Sequence, residues 1–77
     1  MLRSFIEVAI RSCSVRVQTL AMLKTFQGIA SAEIKATESG LVLGIGGSEP
    51  FRSQDEIDEF VAALQVLTGL ELEEVKP

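Results

Sequence analysis

The sequence predicts an α+β chain, a four-stranded antiparallel sheet with two helices in the order strand, helix, strand, strand, helix, strand. Three observations carry this expectation. Apolar and polar residues alternate over Ser4–Arg11, two more alternating segments flank Ser39-Gly40, and Ser53-Gln54-Asp55-Glu56 opens an amphipathic run that ends at Gly69.

The first alternation puts Ile6, Val8 and Ile10 on one face and Phe5, Glu7, Ala9 and Arg11 on the other, the period of a half-buried strand. At Ser12-Cys13-Ser14 the phase changes, because Val15 and Val17 take the parity that was polar before. Two readings of residues 12–19 stay open. In one, Ser14 caps a helix that turns Val17, Leu20, Leu23 and Phe26 inward and stops at Gly28. In the other, a strand runs through Val17 and a shorter helix spans Thr19–Gln27.

Ala32–Glu38 and Leu41–Ile45 both alternate, and Ser39-Gly40 between them reads as a two-residue hairpin turn. That turn pairs Glu38 with Leu41, Ala36 with Leu43 and Ile34 with Ile45, which leaves Thr37, Val42, Lys35 and Gly44 on the other face. The cluster Gly44-Ile45-Gly46-Gly47 then reads as the exit of a central strand. Gly46-Gly47 would supply positive φ, Pro50 would stiffen the approach to the next helix, and Gly44 would leave the open sheet face flat.

The cluster does not fit a phosphate loop. A dinucleotide fingerprint begun at Gly44 needs glycine where Glu49 stands, and the Gly-Lys-Ser/Thr of a P-loop is absent. Ser53 and Glu56 form a capping box, with acids at 55, 56, 58 and 59 suited to the positive end of a helix. That helix turns Ile57, Phe60, Val61, Leu64 and Leu67 inward and ends at Gly69, while Ala62, Ala63 and Val66 widen its apolar sector beyond one face. Leu70–Val75 alternates as a short last strand, or else forms an acidic tail. Together these elements describe a ferredoxin-like βαββαβ sandwich over residues 1–77, a single domain with both helices on one face of the sheet.

A chain of 77 residues buries only about 60% of its unfolded surface, so its core is thin. One cysteine and no histidine leave no disulfide and a poor ligand set for a structural metal, so self-association is the remaining source of stability. An apolar content of 47% and a mean hydropathy of +0.32 point the same way, since no run reaches the roughly 18 residues needed to span a bilayer. The start of the chain has no secretory cleavage pattern, and the expectation is a cytoplasmic protein with a reduced Cys13.

Charge is divided unevenly. Residues 1–40 carry five bases against three acids, a net +2, and residues 41–77 carry two bases against eight acids, a net −6. Catalytic vocabulary is short, with no His, Tyr, Trp or Asn, so Ser-His and Cys-His nucleophiles are ruled out within this chain and no enzyme is expected. Single-strand nucleic-acid binding needs several stacking aromatics, and the open face offers Phe5 alone. No cofactor or membrane partner is expected.

"SCSVR" followed by "FQGIASAEIKATESGLVLGIG" resembles the heavy-metal-associated family over about residues 5–68. The resemblance implies a ferredoxin-like fold and a Cys-x-x-Cys pair that holds a soft cation. Cys13 matches the first cysteine, but Arg16 stands where the second would be, which leaves one thiolate. The flanking bases Arg11 and Arg16 favour that thiolate, so Arg11, Cys13 and Arg16 form a candidate ligand turn.

The reading that follows is a non-catalytic protein–protein interaction module, expected to be a homodimer. Its candidate partner surface comprises Met22, Ala62, Ala63, Val66, Asp55 and Glu59. Two alternatives stand beside it, a soft-metal or thiol carrier using Cys13, and an acidic inhibitor that mimics nucleic acid against a basic partner.

Overall fold

The computed structural model describes residues 3–12 and 17–75. Six elements follow in order: β1 (Arg3–Ile10), α1 (Val17–Thr25), β2 (Ile29–Thr37), β3 (Gly40–Phe51), α2 (Gln54–Thr68) and β4 (Leu72–Glu74). The strands form one sheet ordered β2-β3-β1-β4, with every neighbouring pair antiparallel.

Strand alternation places Ile6, Val8 and Ile10 of β1 beside Leu43 and Ile45 of β3 on one face of the sheet. Leu23 of α1 and Ile57, Val61 and Leu64 of α2 join them in a single buried cluster, which Phe51, Leu70 and Leu72 complete. Three phenylalanines close one side of it. Phe60 meets Phe26 and Phe51 edge to face, with ring centroids 5.5 and 5.1 Å apart.

Val17 is helical, which overturns a strand through that position. The proposed cap Ser14 and the phase change at Cys13 lie outside the described residues. The helix ends at Thr25 rather than at Gln27, because the Phe26 amide donates to the Leu23 carbonyl (3.1 Å) and tightens the last turn. Gly28 then turns the chain at φ +105°.

The hairpin keeps its predicted faces but not its predicted register. Thr37 pairs with Gly40, Ala36 with Leu41, Ile34 with Leu43 and Ala32 with Ile45, so the turn centres on Glu38-Ser39. A primed turn on Ser39-Gly40 would need positive φ at Ser39, and no described non-glycine residue has it. Glu38 and Ser39 take ordinary φ, and Gly40 alone carries the left-handed position, at φ +126°. The Thr37 hydroxyl donates to the Gly40 carbonyl (2.8 Å) and closes the turn.

Gly46 and Gly47 are not a strand exit. Neither has positive φ, and β3 continues through both to Phe51. They serve a close approach inside the strand, where a Cβ on Gly46 would collide with the Ser31 hydroxyl and one on Gly47 would stand 2.8 Å from the Glu49 carbonyl oxygen. Pairing with β1 jumps here, since Arg3 faces Phe51 while Phe5 faces Gly46, and residues 47–50 bulge outward between them. Gly47→Ala should therefore cost about 1–3 kcal/mol, read as a lower urea midpoint at unchanged slope. An unchanged midpoint would show that the bulge relaxes freely.

Gly44 is buried rather than open. The Phe5 ring lies across it, and a Cβ there would come within 3.0 Å of the ring. The uncovered sheet face thus has an aromatic lid where a flat surface was expected.

Local chemistry accounts for α2. Ser53 sits extended at φ −150° and its hydroxyl accepts the Glu56 amide (3.2 Å), while Gly69 ends the helix at φ +71° and donates to the Gln65 carbonyl (2.9 Å). Leu67 is 37% exposed rather than inward. The chain returns from Gly69 and places Leu70 and Leu72 in the core instead, with the Leu72 amide donating to Gln65 Oε1 (3.1 Å). The last segment is a strand, because residues 72–74 pair with Val8–Ile10.

Candidate functional site

Helical spacing gathers five of the six residues assigned to a partner surface. Asp55, Glu59, Ala62, Ala63 and Val66 recur at four, seven, eight and eleven positions from the first, and all five are exposed. Opposite them Ile57, Val61 and Leu64 enter the core. The result is a stripe that begins acidic near the helix start and ends apolar at Val66, which is 87% exposed. Met22 is 39% exposed on the other helix and lies off this stripe in sequence and element.

A cleft of about 500 Å³ opens where the end of α1, the end of β3 and the start of α2 meet. Phe51 and Phe60 line it beside Gly28, and the carboxylates of Glu49, Glu56 and Glu59 border it. Their positions follow from elements already described. Glu49 projects from the β3 bulge, and Glu56 and Glu59 are successive turns of the capped helix. Three like charges around aromatic walls suit a cationic side chain, whose charge the acids balance and whose alkyl stem packs against phenylalanine. Sequence reasoning used Glu49 only as an argument against an anion site and Glu56 only as a cap. The available signal was the crowding of acids on both sides of Pro50.

On the sheet face without helices, Phe5, Glu7, Ala9, Val42, Glu33, Lys35 and Glu73 share one side by register. Arg11 Nε lies 3.4 Å from Glu73 Oε2, and Lys35 Nζ lies 3.2 Å from Glu33 Oε1; both pairs are exposed and weakly stabilising. Of the candidate ligand turn, Arg11 is thus drawn toward β4, while Cys13 and Arg16 lie outside the described residues. Among the described residues no three His, Cys, Asp or Glu side chains converge on a metal position. No helix among them is long and apolar enough to cross a membrane.

Comparison with protein-family models, with characterised proteins and with solved structures gives no match to this chain.

Proposed function

We propose that this chain is a non-catalytic protein-interaction module on a ferredoxin-like sandwich, that it self-associates as a homodimer, and that it docks a second protein on the outer face of α2. The observation that supports this most directly is Val66, a β-branched apolar residue 87% exposed at the end of a helical stripe that includes Ala62 and Ala63. Isolated exposed apolar residues are ordinary, but small residues beside a large one on a single helix face make a surface that another helix can approach closely. The remaining members Asp55 and Glu59 add charge selectivity at the other end of the stripe.

A second reading follows from the cleft at Glu49, Glu56 and Glu59. An acidic rim with aromatic walls favours a basic partner, in keeping with the net −6 of residues 41–77. Both readings place the partner on α2 and differ in salt response. Binding through the cleft weakens steeply as salt rises, and binding through the apolar stripe does not.

Light scattering is the first test, and the expected mass is twice 8.3 kDa. A strictly monomeric chain at micromolar and higher concentration would remove the dimer from the reading. Val66→Glu places a charge at the apolar end of the docking stripe, and it should weaken association with the second protein at least tenfold while the urea midpoint stays within error. Equal affinity in the variant would move the docking face elsewhere.

A further inference from the structure

The strand β2 ends the sheet. It pairs with β3 on one side, and among the described residues its other edge carries no strand. Natural edge strands are usually guarded by proline, by charged side chains such as lysine, by a short length or by a bulge, and on β2 the charges are Glu33 and Lys35, which admit only a strand that sets opposite charges against them. In β2 the register irregularity lies between Ile29 and Ser31, and from Ser31 to Thr37 the strand is regular, seven residues without proline.

Those seven residues read Ser-Ala-Glu-Ile-Lys-Ala-Thr. The segment is chemically self-complementary about Ile34. An antiparallel copy centred on that residue places alanine opposite alanine, hydroxyl opposite hydroxyl, and Glu33 opposite Lys35 on both sides of the centre.

We propose that two copies of this chain join through the free edge of β2, antiparallel and two-fold about Ile34, to make one eight-stranded sheet. The proposal rests on the homodimer reading above and assigns its interface. Outer backbone groups of the edge strand gain partners, and side-chain pairing sets the register.

The faces agree with this arrangement. Glu33 and Lys35 project from the helix-free side with side chains 62% and 50% exposed, and their contact with each other within one chain, at 3.2 Å, is an exposed and weak pair that two pairs across the dimer would replace. Ala32 and Ile34 are half-buried on the helix side, at the margin of the core cluster, where a second Ile34 would cover them. Competing registers that keep all helices on one side are worse. Centring on Glu33 or on Lys35 sets like charges face to face, and centring on Ala32 or Ala36 leaves the charges unmatched. The α2 stripe lies on an element that packs toward β4, at the opposite end of the sheet, and remains available to a second protein.

Charge exchange tests the register. Lys35→Glu puts carboxylates opposite one another at both pairs, and Glu33→Lys does the same with ammonium groups. Each should raise the dimer dissociation constant about tenfold or more in sedimentation equilibrium of the full chain. An equimolar mixture of the two single variants should form a mixed dimer, because every pair then joins opposite charges. The double variant Glu33→Lys with Lys35→Glu should dimerise like the wild type. Circular dichroism and urea midpoints confirm that each variant remains folded. A dimeric wild type whose single variants dimerise equally well, or whose mixture stays monomeric, would overturn this interface and leave the dimer itself standing. A monomeric wild type would overturn both.

Discussion

Leu64→Ala should lower the stability of this chain by about 2–5 kcal/mol, the range for deleting a fully enclosed leucine. Leu64 has no exposed surface and lies in the one cluster to which β1, β3, both helices and the last strand contribute. Stabilities near 0.05–0.15 kcal/mol per residue give roughly 4–12 kcal/mol for a chain of this length, so the substitution removes a large part of the total. The measurement is a urea titration by circular dichroism. A midpoint shift below what about 1 kcal/mol produces would mean that the sheet and helices collapse onto the vacated volume. Val66→Ala on the same helix serves as the control, because its side chain is 87% exposed and its loss should fall within about 0.5 kcal/mol.

The second large effect is expected at Glu74. Its side chain is only 4% exposed, and Oε1 accepts from Gln54 Nε2 at 2.6 Å. Arg3 Nη1 stands 3.0 Å from Oε2, yet that oxygen has no hydrogen-bond donor, so the geometry is off line and charge alone holds it. The pair therefore ties the start of β1 and the first turn of α2 to the last strand without ideal hydrogen bonding. Breaking a buried ion pair leaves the survivor uncompensated.

Arg3→Ala strands a buried carboxylate and should cost about 3 kcal/mol, whereas Glu74→Ala strands an arginine that is 23% exposed and reaches water, so about 2 kcal/mol is expected. The double variant Arg3→Met with Glu74→Leu should recover most of the loss, because apolar replacements of similar volume avoid desolvation. Thermal or urea midpoints of the three variants read the order directly. If Arg3→Ala leaves stability unchanged, the carboxylate is solvated by another route and the pair has no structural role.

Glu74 also shows where sequence reading stops. Leu70–Val75 alternates, but a run with acids at 71, 73 and 74 serves equally well as a solvated tail. What makes it a strand is pairing with Val8–Ile10, more than sixty residues earlier. The amide of Glu71 donates to the Ser12 hydroxyl (2.7 Å) across a similar separation. No local pattern encodes either contact. The candidate surfaces divide the same way. The α2 stripe is legible because helical spacing alone places Asp55, Glu59, Ala62, Ala63 and Val66 together, whereas the acidic cleft also needs Gln27 and Gly28, from the turn after α1, to meet the neighbouring segments that carry Glu49, Glu56 and Glu59.

What the sequence by itself determined is β1, the two hairpin strands and α2, with their faces. Ser53, Glu56 and Gly69 end α2 through hydrogen bonds reaching three or four residues, and period-two alternation assigns Ile6, Val8, Ile10, Ile34 and Leu43 to one side. Tertiary structure alone decided the register of the hairpin and the part its glycines play. A slip of one residue would turn every side chain over, and the apolar pattern forbids it. A change in pairing of two residues keeps every side chain on its face, so the pattern cannot distinguish Ile34 opposite Leu43 from Ile34 opposite Ile45. The backbone settles that choice by giving Gly40 the one left-handed position in the turn, and the approach of the Glu49 carbonyl oxygen favours glycine at 47.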